Sequence, residues 1–528
     1  MNSNVAVSRP LAGYLLATTG ISGALVMVIE VLGSRVIGPY FGVSLFVWTA
    51  LIAVTLLSLS IGYVVGGRLA DRFPDPRGVY FLLMLAGFLV ALVPIIKVPA
   101  IELCAHAGLR LGAMLATCIL FGPALLLLGC VSPYVVRVAA GDLKALGRTI
   151  GLFYAVSTAG SFIGTAATGF FIIAYVGVSN AFYLCGAALV LLGAVYFLVF
   201  HRRPAAALVV LPFGLFFLGG PAELPAATLP DGTRAVLIDH EDSYYGSVKV
   251  VEYHGTAVRT REMMIDGLIQ GGIDIATGQP IYEYAYLMEA LPLRVRPDAQ
   301  TALFVGLGPG AVVTRMQARG VRADVVDIDP VVVRMAERHF GFRPQRPPII
   351  ADGRSFLRNG TDRYDLILMD VFNGDITPSH LLSKEAIAEI DQRLAPDGVF
   401  AMNLIASLSP ESRVLPAVVN TLRTRFPEIV AFPLFDASKP GASGNMVILA
   451  GHGSLAAAMR PDLIEGVHPL AIEGVRAAQS QVMPLRAHPG GLVLSDDFNP
   501  LDIFDPALHE GVRRTILETT PARLLLHG

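Results

Sequence analysis

Charged side chains are scarce in this chain. Asp, Glu, Lys and Arg make up 16% of its 528 residues, against about 25% in an ordinary soluble protein. The shortage is not uniform. Residues 1–225 hold 12 Lys/Arg and 6 Asp/Glu and the remainder holds 28 and 36, so the net charge of −2 splits into +6 and −8. A membrane-embedded first part followed by a slightly acidic globular part accounts for that division. Cysteine is also rare. Cys104, Cys118, Cys130 and Cys185 lie in or beside apolar runs and none belongs to a CxxC pair. That excludes a disulfide framework and gives no reason to expect a metal site; the four read as small apolar packing residues. No basic patch suited to nucleic acid stands out, so none is expected as a partner.

What the chain has in abundance is apolar surface: 54% hydrophobic residues and a mean hydropathy of +0.60. Apolar runs recur at 11–33, 43–67, 78–98, 111–136, 149–175, 178–200 and 204–220. Most reach the ~20 residues that a helix needs to cross a bilayer. Residues 1–221 therefore read as a helical transmembrane domain of about seven spans, with the lipid bilayer as partner and the inner (plasma) membrane as location. The first run reads as a retained helix and not a signal peptide, because further spans follow. Arg9, then Arg68, Arg72 and Arg77, then Arg137, Lys144 and Arg148, then Arg202 and Arg203 fall on one side of these runs; only Arg35, Lys97 and Arg110 fall on the other. The positive-inside rule makes the first side cytoplasmic. Seven spans put the second part of the chain outside; if 204–220 only lies on the membrane, that part is cytoplasmic. Gly62 and Gly66, and Gly160 and Gly164 with Gly169 following, have the small-residue spacing of closely packed helices. Glu30 in the first span is either functional or snorkels to the interface. The run Gly67-Arg68-Leu69-Ala70-Asp71-Arg72 resembles the cytoplasmic loop signature of major-facilitator transporters, in a chain with about half the spans of such a transporter.

Beyond a Pro/Ala/Leu-rich connector, strand-like runs at 235–238, 247–251 and 262–265 and the Asp266-Gly267 turn predict a small β-domain within residues 222–295. Aromatics crowd this region, Tyr244 and Tyr245, then Tyr282, Tyr284 and Tyr286; they form either a hydrophobic lid or a substrate wall. The apolar run 302–305 then breaks into Gly306-Leu307-Gly308-Pro309-Gly310, a helical pattern follows, and a second apolar strand ends in Asp327 and Asp329. Strand, glycine turn, helix, strand and acid is a nucleoside-binding order: the glycines admit the ligand to the backbone and the acid about twenty residues on takes ribose hydroxyls. Further strands at 349–350, 366–369 and 399–402, with 445–450 closing the sheet, alternate with helical patterns. They predict an α/β Rossmann-like, methyltransferase-type fold over 296–450 and a C-terminal extension over 451–528. Gly306, Asp327, Asp352 and Asp370 all fall at strand ends, where such sheets bind ligands.

The motifs in this order resemble those of the spermidine synthase (polyamine aminopropyltransferase) family. The whole chain resembles its bacterial members fused to an N-terminal multi-pass membrane domain. The residues that carry the likeness are Asp266-Gly267-x-Ile269-Gln270, Tyr284 ahead of Leu291-Pro292-Leu293, the glycine turn, Asp327, Asp352-Gly353 and Asp370. The resemblance implies aminopropyl transfer from decarboxylated S-adenosylmethionine, a co-substrate and not a tightly bound cofactor, to a polyamine such as putrescine, with 5′-methylthioadenosine released. Asp370 is then the catalytic carboxylate acting on the acceptor amine. Gln270, Gly306, Gly308, Gly310, Asp327 (ribose), Asp352 (adenine) and Gly353 serve the donor. Tyr245, Tyr284, Asp375 and Asp496 serve the acceptor, and a homodimer is implied. The chain departs from the family pattern at four places: Pro309 stands for an acid that holds the donor's amine, Gly246 for a Gln, Ala285 for a His or Gln, and Asn373 for the second acid of an Asp-x-x-Asp loop. Asp375, Asp496 and Asp497 are candidates to replace the lost charge; otherwise 496 and 497 cap a helix or turn. Two other functions fit the same residues: methyl transfer from S-adenosylmethionine, and a non-enzymatic membrane transporter or sensor that binds a nucleoside or polyamine.

Overall fold

The apolar runs of the first part fold as helices. The computed structural model describes residues 8–42, 45–139, 146–210, 224–372 and 377–527. These form two compact units that meet in sequence between Leu224 and Pro225. The first holds α1 (Arg9–Phe41), α2 (Leu45–Arg72), α3 (Arg77–Ala105), α4 (Leu109–Leu120), α5 (Gly122–Ala139), α6 (Leu146–Ala167, continued by a π turn to Ile172) and α7 (Val178–His201). Among the described residues six of these are long and apolar enough to span a membrane, all but α4. The single span expected at 111–136 is two helices. Pro123 lacks an N–H and its ring blocks the carbonyl four residues back, so the helix stops at Phe121 and restarts. Twelve residues rise only about 18 Å, too short to cross. Of the run expected at 204–220, Pro204–Val210 forms a 3-10 helix and the rest lies outside the described residues. The small residues act as expected. A Cβ on Gly62 would sit 2.3 Å from the Leu126 carbonyl oxygen in α5, and one on Gly160 would sit 2.0 Å from that of Gly20 in α1. Gly169 packs against nothing comparable.

The second unit begins with an antiparallel meander, β1 (Ala226–Thr228), β2 (Arg234–Asp242), β3 (Ser247–His254), β4 (Arg259–Ile265) and β5 (Leu268–Asp274), in sequential order. After α8 (Glu283–Val295) come β6 (Thr301–Val305), α9 (Ala311–Ala318), β7 (Arg322–Asp327), α10 (Pro330–His339), β8 (Ile349–Ile350), α11 (Gly353–Asn359), β9 (Tyr364–Met369), α12 (Lys384–Arg393) and β10 (Leu394–Ser407). Then follow α13 (Val414–Leu422), β11 (Glu428–Pro433), β12 (Ser443–Gly451), α14 (Pro469–Ser480), β13 (Met483–Pro484) and α15 (Pro506–Thr519). The large sheet runs β13-β11-β12-β10-β9-β6-β7-β8. Its half from β10 to β8 is parallel, and β10 to β13 pair antiparallel.

β12 does not close the sheet as expected from sequence; β11 and β13 lie beyond it. Side-chain alternation builds two cores. Ala302 and Phe304 enter the core that includes α8, α9 and α10, while Leu303 and Val305 enter the one that includes α11, α12 and α13. A strand covered on both faces is apolar throughout, which is why 302–305 reads as a solid run.

Among the buried carboxyls of the meander, Glu262 is the one whose pKa burial raises. Glu262 of β4 is buried, and that burial pushes its pKa up to about 7 against the ordinary 4.5, partly offset by a hydrogen bond from Tyr282. With the folded value raised, the contribution of Glu262 to stability is complete below pH 4.5 and is lost as pH rises through 7. Glu262→Gln keeps an acceptor for Tyr282 without the charge. It is expected to stabilise the protein at pH 8 by on the order of 3 kcal/mol, with the gain vanishing towards pH 4. Thermal unfolding of the detergent-solubilised protein across that range checks this; a gain independent of pH contradicts it.

Candidate active site

The glycine turn after β6 sets the geometry. Gly306 has φ +91°, and a Cβ there would lie 2.2 Å from the Asp370 carbonyl oxygen. Only glycine lets the end of β6 pass so close to the chain leaving β9. Gly308 and Gly310 also take left-handed φ, +52° and +75°, and a Cβ on Gly310 would meet the Phe342 ring at 2.8 Å. Gly353 likewise leaves room for Val305, whose Cγ1 would be 2.5 Å from an added Cβ. Parallel pairing then aligns the strand ends: Val305 lies beside both Met369 and Val326, and Asp327 beside Ile350. Gly306, Asp327, Asp352 and Asp370 therefore share one rim of the sheet.

The four acids singled out by sequence on or near this rim do different things. Asp327 is buried, and its carboxylate accepts from Leu307 N–H at 2.9 Å and Asp329 N–H at 2.8 Å. Burial pushes its pKa up to about 6, with those two bonds pulling the other way. It ties the glycine turn to the end of β7. Asp329 caps α10 through Val331 N–H and accepts from Ser243 Oγ at 2.6 Å, fastening the Asp242–Gly246 turn of the meander to the large sheet. Asp352 caps α11 through Ser355 N–H, and His380 Nε2 lies 3.0 Å from its other oxygen. Asp370 follows β9; protein encloses its carboxylate and pushes its pKa up to about 6, against a 3.0 Å hydrogen bond from Asn403 Nδ2.

Asp370 opens on a small cavity lined also by Tyr284, Met288, Phe304, Leu307, Pro309, Val312 and Leu368. The wall is apolar apart from Asp370, Tyr284 and backbone. Tyr284 projects from α8 and donates to the Gln270 carbonyl oxygen at 2.9 Å. Burial, with Asp370 next, holds its hydroxyl well above the ordinary value, so it stays neutral. Gln270 is the extra residue of a bulge, for Met264 pairs with Ile269 and Met263 with Gly271; the bulge turns its carbonyl towards Tyr284. Pro309 packs against this bulge: a Cβ on Gly271 would lie 2.9 Å from Pro309 Cγ.

Other expected residues are not brought to the cavity. Asp496 forms a two-pronged ion pair with Arg354, both contacts 2.6 Å, which holds its pKa down at about 2. That carboxylate is already neutralised. The sequence offered no sign of this, since the partners are 142 residues apart. Tyr245 is exposed and does not line the cavity. Asp375 and Asn373 lie outside the described residues. Sequence reasoning missed Asn403, although a lone polar residue within the apolar run Val399-Phe400-Ala401-Met402-Asn403-Leu404 is a signal. It also missed Ser243, His380 and Arg354 as partners of the acids.

A family model described as Major Facilitator Superfamily matches residues 10–289, a span that runs past the apolar helices and the whole meander into α8. The Spermine/spermidine synthase domain matches 282–446. A polyamine aminopropyltransferase of Vibrio vulnificus is 30% identical over 223 residues, 40% of this chain and 72% of that protein. An N-terminal histidine N-methyltransferase of Emericella nidulans is 29% identical over 272 residues, 46% of this chain and 48% of that protein. Among solved structures, a probable spermidine synthase from Corynebacterium glutamicum has 18% identity and a TM-score of 0.38, covering 49% of this chain and 95% of that one.

Gly306→Ala is expected to force Asp370 away from the rim. Turnover should fall about 100-fold, the scale that a displacement near 1 Å costs, together with a lower melting temperature. Steady-state rates and thermal unfolding check this; wild-type turnover in the variant would mean that the close approach is dispensable.

Proposed function

The chain belongs to the polyamine aminopropyltransferase (spermidine synthase) family and carries a major-facilitator-type membrane domain, and from that premise we propose that it transfers an aminopropyl group from decarboxylated S-adenosylmethionine to a polyamine such as putrescine. The observation that carries this reading is Asp370. It is a half-buried carboxylate with its pKa pushed up to about 6, following β9, in an apolar cavity beside Tyr284.

The chemistry follows. A neutral acceptor amine attacks the carbon beside the sulfonium. The new C–N bond forms as the C–S bond breaks, its electron pair neutralises the sulfur, and 5′-methylthioadenosine leaves. The surplus proton on nitrogen passes to the Asp370 carboxylate. Met288, Phe304, Leu307 and Leu368 suit a methylene chain, and the glycine turn with Asp327 suits the nucleoside. Positioning two substrates in a dry site provides the main part of the acceleration.

Among the described residues the candidate spans number six, an even count that returns the chain to the side on which it began. Arg72, Arg137, Arg202 and Arg203 sit at the helix ends of that side, so we assign the transferase unit to the cytoplasmic face. A phosphatase or fluorescent reporter at the C-terminus distinguishes the two sides; phosphatase activity would reverse the assignment.

A second reading rests on Pro309. Without an acid there, nothing on the turn selects against a donor that keeps its carboxylate, and the histidine methyltransferase relative works on a different reaction. Incubating purified full-length protein with each donor separately, with putrescine or spermidine, separates the readings. Consumption of the decarboxylated donor with release of methylthioadenosine supports aminopropyl transfer; consumption of the carboxylated donor alone refutes it.

Asp370 accepts a proton only when ionised. The acceptor-dependent rate should therefore fall on the acid side below about pH 6. Asp370→Asn should lower it by 100-fold or more, the usual yield of a positioned base, and erase that limb. An unchanged rate in this variant removes Asp370 from the catalytic role.

A further inference from the structure

β9 and β10 run parallel with Met369 beside Met402, so the next residues on each strand, Asp370 and Asn403, become neighbours. Asn403 is buried, 2% exposed. Its Nδ2 donates to Asp370 Oδ1 at 3.0 Å, and its Oδ1 is buried with no hydrogen-bond partner among the described residues. A carboxylate accepts only, so the amide must turn its nitrogen to Asp370 and its oxygen elsewhere.

We propose that Asn403 is the positioning residue of the transfer: its Nδ2 fixes Asp370 Oδ1 and leaves Oδ2 to meet the acceptor nitrogen. This rests on the aminopropyl-transfer reading. The hydrogen bond also stabilises the ionised form of Asp370, the form that accepts a proton. The titratable group facing Asp370 from α8 is Tyr284, which remains protonated through the neutral range. β6 carries no titratable side chain, and Asp397, the one on β10, stands near the strand's other end.

The test uses full-length protein in detergent with the decarboxylated donor and putrescine. In Asn403→Leu, with similar volume and no amide, the acid limb of kcat/KM should move up by about one pH unit, the scale of a lost charge-assisted hydrogen bond. The KM for putrescine should rise about tenfold while that of the donor stays within twofold. Asn403→Asp keeps an acceptor but adds a like charge, so its limb should move further up than that of Asn403→Leu. Asn403→Gln serves if the leucine variant fails to fold: the amide is retained but displaced, and the putrescine KM should rise with the donor KM unchanged. A limb that stays in place in the variants that fold, or a rise shared equally by both KM values, overturns the proposal. If wild-type protein does not consume the decarboxylated donor at all, the aminopropyl reading fails first. The limb shift, followed with whichever donor is turned over, then still judges the Asn403–Asp370 pair.

Discussion

The contact on which the second unit's site depends is the approach of Gly306 to the Asp370 carbonyl, close enough that no side chain fits between them. It joins the two strand ends that bear the turn and the acid. Backbone bonds reinforce it: Gly306 N–H reaches the Val326 carbonyl oxygen and Asp370 N–H that of Val305. The rim is therefore a property of the sheet's register, and its acids cannot move independently of β6, β7 and β9. A site built this way is rigid where chemistry needs precision and leaves variation to the loops.

That rigidity explains how much of the site was legible in sequence. Glycines and acids at strand ends announce themselves because parallel strands are otherwise apolar, and 302–305 and 366–369 stop abruptly at Gly306 and Asp370. What could not be read is what each acid touches. Asp496 looks like spare negative charge until Arg354 is found beside it. Asp327 looks like a ribose ligand, yet its two oxygens also hold the backbone amides of Leu307 and Asp329. Partner choice across long sequence separations is a tertiary fact with no local pattern. The same holds for sheet order: 445–450 was a clear strand, but its place inside the sheet depends on β11 and β13. In the membrane part the opposite error occurred. Composition alone joined α4 to α5, where Gly122-Pro123 was the local signal that separates them.

The acids of the rim are thus divided by occupation. Asp327 is held by two amides, Asp329 by a helix cap and Ser243, and Asp352 by a helix cap and His380. Among the described residues the Asp370 carboxylate has a single hydrogen bond, from a neutral amide to Oδ1. A cation entering the cavity meets one carboxylate that retains most of its unscreened charge, in surroundings of low dielectric where that charge acts strongly. The same enclosure raises its pKa to about 6. This carboxylate is mostly ionised at pH 7 yet basic enough to accept a proton.

Pro309 follows from the same logic. An acid there would add a second charge within the apolar wall and raise the cost of ionising Asp370. Proline instead packs against the bulge at Gln270-Gly271, where Tyr284 is held. The turn contributes shape in place of charge, and the cavity keeps a single anionic pole. Whatever donor is bound, the discriminating force at the reacting end is then fit against Met288, Phe304 and Leu368, with Asp370 reading the one amine that comes within its reach. A pocket of this kind selects weakly between chains differing by a methylene, worth about 1–3 kcal/mol, and strongly against a nitrogen that cannot reach the carboxylate, because a buried charge is then left unpaired.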